Sequence, residues 1–315
     1  MPATFGTWLA QRSRVLRLAH VSDLHVLSPF GFEWRKALIN KRLAGYANLV
    51  RQRGRVYRRE YLMTVLRAAV AQADQLVVTG DITNMSFDHE FDEAQKLLDE
   101  AAKSIEVTVV PGNHDVYVPS IVESRRFPRH FHQFMRSDLP DLACDLPTGM
   151  YPCVKLRGPA AIIALSDGVP LPPFVSSGRL GELQLRALDA VLAHPEVQRR
   201  TAVVLVHHPP FDKCCRVEQL RDGLADAAEL RAAFAPLRRG LVLYGHVHYR
   251  SRKRLSTTAG ALDVISASGA ALDHKSPGVR AGYNLYAIAD DGSLASADAY
   301  VVSADGKSME QVGIP

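Results

Sequence analysis

The sequence predicts an α/β fold, and three observations carry that prediction. Short β-branched runs recur along the chain, longer helical patterns fill the gaps between them, and the runs are near-continuously apolar rather than alternating. Strands of that kind suit a sheet covered on both faces. With 315 residues, 47% hydrophobic and 23% charged, the chain can bury a substantial core. It shows neither a repeat at a fixed period nor a low-complexity stretch, and we read 1–315 as a single domain.

The runs are RVLRLAHV (14–21), QLVVT (75–79), EVTVV (106–110), AIIALS (161–166), TAVVLV (201–206) and GLVLY (240–244). Between them, Asp88–Lys103 and Gly178–Ala193 have helical periodicity with Gly or Pro punctuation at their borders. Within 250–315, LDVISASG and YNLYAIADDGSLASADAYVV read as strands in succession, the second folded around a DG turn. These C-terminal strands are expected to extend a sheet in antiparallel fashion.

Chemistry enters where the runs end. SDLH follows the first (Asp23, His25), GD the second (Asp81), PGNHD the third (Asn113, His114, Asp115), HHPP the fifth (His207, His208) and GHVH the sixth (His246, His248). Ligands of open α/β sheets gather at the carboxyl ends of strands. A single Asp, Asn or His there is usually a cap or a turn. Five in order point to one crevice with one job. Imidazole and carboxylate together, without thiolate, suit borderline divalent ions such as Mn, Fe, Zn or Co, and manganese is favoured.

The ordered set Asp23-x-His25, Gly80-Asp81, Gly112-Asn113-His114-Asp115, His207-x-Pro209 and Gly245-His246-x-His248 resembles the calcineurin-like metallophosphoesterase superfamily over residues 23–248. The resemblance implies a four-layer αββα sandwich, two mixed β-sheets flanked by helices, with two metals at the sheet edge. By the same resemblance Asp23, His25 and His248 would hold the first metal, Asn113, His207 and His246 the second, and Asp81 would bridge them. Two such ions about 3.5–4 Å apart can lower the pKa of a shared water to about 7, which supplies a hydroxide nucleophile for phosphoester hydrolysis. His114 is left as a proton or hydrogen-bond donor to the leaving oxygen, with Asp115 expected to fix its tautomer. His208 reads as a supporting or packing residue.

Departures from related groups narrow the reading. Asn84 stands where purple acid phosphatases have a ferric-binding Tyr, and GDITNMS lacks the Arg that follows GD in Ser/Thr protein phosphatases. His114 replaces the Arg of the best-known UDP-2,3-diacylglucosamine hydrolases. The forms found here resemble class III cyclic nucleotide phosphodiesterases and the chlamydial-type UDP-2,3-diacylglucosamine hydrolases. The expected substrate is therefore a lipid-linked or cyclic nucleotide, cleaved at a phosphodiester or pyrophosphate bond.

Charge is uneven. Between Arg35 and Arg59 lie nine basic side chains and no acid, so with a formal charge of +5 the remainder of the chain is net acidic. We read 30–60 as a basic amphipathic helical insertion whose residues 33–59 contact an anionic membrane. A nuclease is the alternative function, but Trp34, Tyr46 and Tyr57 make no evident stacking platform. A metal-free scaffold would have lost ligands that this chain keeps. Lys275 and Arg280, in the segment after GHVH, are candidate substrate contacts. Four cysteines without CxxC spacing suggest reduced thiols, with vicinal Cys214 and Cys215 as a conceivable metal or redox pair. The N-terminal residues lack a signal-peptide pattern, and no run is long and apolar enough to span a bilayer, so a cytoplasmic protein, peripheral at the inner membrane face, is expected.

Overall fold

The computed structural model describes residues 15–26 and 56–315. In chain order its strands are β1 (Leu16–Val21), β2 (Gln75–Thr79), β3 (Glu106–Val110), β4 (Cys144–Leu146), β5 (Gly149–Tyr151), β6 (Cys153–Arg157), β7 (Ala160–Ala164), β8 (Thr201–Leu205), β9 (Gly240–Tyr244), β10 (Ser251–Ser256), β11 (Ala261–Ser266), β12 (Gly282–Ile288), β13 (Leu294–Val302) and β14 (Met309–Val312). The helices are α1 (Arg59–Gln72), α2 (Asp88–Ala102), α3 (Pro119–Glu123), α4 (Arg126–Phe131), α5 (Glu182–Ala193), α6 (Pro195–Gln198), α7 (Arg216–Asp222) and α8 (Ala227–Ala233). All six apolar runs are strands.

Two six-stranded sheets carry the fold. Sheet one has the order β14-β13-β12-β1-β2-β3, and sheet two β10-β11-β9-β8-β7-β6. β1, β2 and β3 are parallel, as are β7, β8, β9 and β11. Period-two alternation then divides the core. In β7, Ala160, Ile162 and Ala164 share a cluster with Leu18, Val77 and Val109 of sheet one, whereas Ala161 and Ile163, with Leu165 just beyond the strand, join Leu188, Val191 and Leu230 of α5 and α8. α1 and α2 cover sheet one through Leu62, Val65, Phe91 and Leu98. The layers are helix, sheet, sheet, helix, the four-layer sandwich that the resemblance implied.

Two details differ from the sequence reading. The helix predicted from Gly178 begins at Glu182, because Gly181 caps it at φ 80° while Gly178 bridges Leu224. The LDVISASG strand does not extend the same sheet as the hairpin that follows. β11 pairs parallel to β9 in sheet two, and only β12 to β14 extend sheet one in antiparallel fashion. Strand propensity is local, but choice of sheet depends on which partner the crossing chain reaches. Most of the 30–60 insertion lies outside the described residues, as does most of the 33–59 membrane segment. Among the described residues, no helix is long and apolar enough to cross a membrane.

Candidate dimetal centre

The parallel strands deliver their candidate ligands at one edge. Beyond β1 and β2 the two loops keep pairing: Asp23 N–H donates to the Gly80 carbonyl at 3.0 Å, His25 N–H to Asp81 at 3.0 Å and Val26 N–H to Ile82 at 2.9 Å. This ladder brings Asp23, His25 and Asp81 together. From sheet two, His246 N–H donates to Asp23 Oδ2 at 3.1 Å and joins the sheets across the crevice.

Close approach explains the motif glycines. A Cβ on Gly80 would lie 2.6 Å from His207 Nδ1, and one on Gly245 would lie 1.8 Å from Ser22 Oγ. The candidate ligands themselves hold unusual backbone. Asp23, His25, Asp81, His246 and His248 all have φ between 42° and 66°, and they are five of the eight non-glycine residues with positive φ among those described, so strain is concentrated here. Such conformations cost about 1–3 kcal/mol each and persist where the surroundings enforce them.

One cluster is Asp23, His25, Asp81 and His248, with ligand atoms mutually within 4.8 Å. His248 Nε2 is 3.0 Å from Asp23 Oδ1 and 3.3 Å from His25 Nε2. The second cluster gathers His207, His208 and His246, with Asn113 Oδ1 lying 3.2 Å from His207 Nε2 and 3.1 Å from His246 Nδ1. Asp81 Oδ2 stands between the two, 3.9 Å from His25 Nε2 and 3.4 Å from His207 Nε2. All seven residues predicted as ligands meet in this crevice.

The donor chemistry calls for cations. His207 Nδ1 donates to the Thr79 carbonyl at 2.7 Å, so in the neutral ring Nε2 is a lone pair that faces the Asp81 carboxylate. Asp23 Oδ1 is buried without a hydrogen-bond donor. Acceptors turned toward acceptors, all buried, are stable only around positive charge. The same field shows in proton affinity. Burial opposes charge on His207, yet Asp81, Asp23 and Asp167 raise its pKa to about 10. Burial likewise opposes ionisation of Asp81, but His207 and His114 hold it well below the carboxylate range. His246 is kept neutral by burial and by the neighbouring His208 and His207 rings, as a metal ligand requires.

His114 lies at the edge of this group, its Nε2 4.0 Å from Asp81 Oδ2 and its ring stacked on Tyr117. Its tautomer is not set by Asp115, contrary to expectation: Nδ1 donates to the Asn84 carbonyl. Asp115 is committed to the backbone instead, accepting from Ile82 N (3.1 Å), Thr83 N (2.7 Å), Thr83 Oγ1 (2.9 Å) and Gly112 N (3.0 Å). It ties the GD loop to the GNHD loop. Burial and the Asp81 charge push its pKa up to about 7 against those hydrogen bonds. His208 donates Nε2–H to the Ser176 carbonyl at 2.6 Å, while its Nδ1 lies 3.3 Å from Asp167 Oδ2.

Tyr57 was missed as a site residue. Its hydroxyl is 3.1 Å from His248 Nδ1 and turns Nε2 toward Asp23, the arrangement by which an outer partner orients a ligating imidazole. In sequence it is one aromatic among arginines, and nothing local marks it. Arg280 donates to the carbonyls of His274, Lys275 and Val302, so its guanidinium braces its own loop.

The calcineurin-like phosphoesterase family model matches residues 16–250. The chain belongs to that family. Its members are metal-dependent phosphoric ester hydrolases with a dinuclear divalent centre, and the acceptor-lined pair of clusters fits such a centre. Among solved structures, a dimetal phosphatase from Danio rerio is similar at 15% identity, covering 96% of this chain and 99% of that one, with a TM-score of 0.54. A purple acid phosphatase from yellow lupin (Lupinus luteus) seeds has 13% identity and a TM-score of 0.59, covering 95% of this chain and 53% of its own. No curated protein matches the sequence.

Proposed function

We propose that this phosphoesterase hydrolyses a phosphodiester or pyrophosphate bond in a lipid-linked or cyclic nucleotide, with manganese as the preferred metal. The observation that carries the reading is the Asp81 carboxylate placed between two acceptor clusters with His114 at their edge. Two divalent ions held there would ionise a shared water at neutral pH and neutralise charge on the phosphoryl oxygens. Asp23, His25 and His248 would hold one, Asn113, His207 and His246 the other, and Asp81 both.

The chain's own groups supply the rest. His114, oriented through Nδ1 by the Asn84 carbonyl, presents Nε2 to the crevice, where it can give a proton to the leaving oxygen. Asp115 keeps that ring in place by bracing the loops from which it projects. A basic stretch ending beside the metals favours an anionic, lipid-bearing substrate over a free phosphomonoester. The described chain resumes at Val56 next to the centre: Arg58 N–H donates to the Ala271 carbonyl at 2.8 Å, and the Arg58 side chain pairs with Asp273 at 2.6 Å. Residues 33–59 are proposed to meet an anionic membrane at the cytoplasmic face.

The decisive experiment assays the manganese-loaded protein in parallel on cyclic AMP, UDP-2,3-diacylglucosamine, an aryl phosphodiester and single-stranded DNA. Turnover of either nucleotide well above the aryl ester supports the proposal. Preferred cleavage of DNA makes the protein a nuclease.

A further inference from the structure

A third set of side chains able to ligate a metal is distinct from the two in the crevice. Cys214, Cys215 and Glu218 each offer one ligand atom, all within 4.8 Å of one another. Both cysteines are free and exposed. The turn into α7 explains how sequence neighbours converge. Cys215 caps the helix in an extended conformation, φ −142° and ψ 159°, and Glu218 in the first turn reaches back across the cap. Cys214 Sγ donates to Glu218 Oε2 at 3.1 Å, and that hydrogen bond holds the thiol above its ordinary pKa.

We propose that Cys214, Cys215 and Glu218 form a separate site for one soft divalent cation, zinc or cadmium, bound through two sulfurs and one oxygen. Zinc takes thiolate at about 2.3 Å and carboxylate at about 2.0–2.2 Å, so tetrahedral ligands lie about 4 Å or less from one another, a spacing these side chains already approach. On binding, each thiol passes its proton to solvent and the cation takes its place. Two thiolates, one carboxylate and a dication leave a single negative charge. That charge faces solvent, since the nearby Arg221 is already paired with Asp222 at 2.8 Å.

Donor type separates the two places. The dimetal centre offers nitrogen and oxygen, which suit manganese, whereas the α7 site offers sulfur, which selects a thiophilic ion. The connection between them is short. Ser176 N–H donates to the Arg221 carbonyl at 2.7 Å, and the Ser176 carbonyl accepts from His208 Nε2 at 2.6 Å.

The test uses the full chain with its centre saturated by manganese and its thiols kept reduced by a phosphine. Cadmium is titrated and ultraviolet charge-transfer absorption is read, a signal of metal–thiolate bonds that the nitrogen–oxygen centre does not produce. Absorption saturating at one cadmium per chain, abolished in Cys214→Ser/Cys215→Ser and shifted to about 10-fold weaker binding in Glu218→Gln, is expected. Three results overturn the proposal: no absorption, a band that survives the double substitution and so belongs to Cys144 or Cys153, or saturation at one cadmium per two chains. Hydrolysis is not read, so the outcome is independent of the proposed reaction.

Discussion

The two ends of β3 hold two polar clusters with opposite logic. At its start, Glu106 accepts both arms of Arg157, at 2.6 and 2.7 Å, while Arg157 also reaches Asp138 at 2.6 Å and buried Lys155 donates to the Val107 carbonyl at 2.7 Å. Beyond its other end, Asn113 and Asp81, the latter on strained backbone, face the lone pair of His207. Every donor in the first cluster meets an acceptor, so it is complete as folded. The second has an excess of acceptors and is completed only by cations. A cluster of polar groups alone therefore does not mark the candidate site; the imbalance between donors and acceptors does.

Substitutions at the two ends should part company. The largest effect is expected for Asp81→Asn, which keeps shape but removes the shared charge: metal content measured by atomic absorption should fall and turnover of an aryl phosphodiester should drop to background. Full metal content in that variant would break the contrast. His114→Ala should lower kcat by about 10²–10⁴-fold while both metals stay bound. Collapse of the metal content would instead make His114 a ligand.

Tyr57→Phe should weaken the affinity for one of the two cations by about 10–100-fold in a manganese titration, with turnover recovered at excess metal. It follows that a deletion carried through Arg59 would damage the centre as well as the basic segment. Replacing Arg51, Arg53 and Arg55 by Gln is the cleaner probe: binding to anionic liposomes should weaken while hydrolysis of the aryl ester is spared. Unchanged binding would remove the membrane role.

At the other end of the strand, Arg157→Ala should cost about 1–3 kcal/mol in urea unfolding and leave the metal content unchanged. Its hydrogen bonds hold Glu106 down at about 2 from an ordinary 4.5. A depressed carboxylate contributes stability that is complete above its unfolded pKa. The contribution fades as pH falls through 4.5 toward 2, and the variant should lose that acid dependence. Glu106 is partly exposed, so this smallest effect is about 1 kcal/mol or less.

The sequence by itself determined the strands, because apolar runs bounded by turns have few other stable fates, and it named the candidate ligands, because five of the six runs end in a motif that carries them. Through resemblance rather than geometry it also put Asp81 forward as the shared ligand. Only tertiary structure decided that β11 joins sheet two, that Asn84 rather than Asp115 holds His114, and that Tyr57 reaches His248. Each of these depends on residues brought together from distant stretches, as Tyr57 and His248 are, or on where one side chain turns among several local partners. Periodicity and spacing report what a segment buries, while hydrogen-bond partners are chosen by direction in three dimensions, which a linear pattern does not encode.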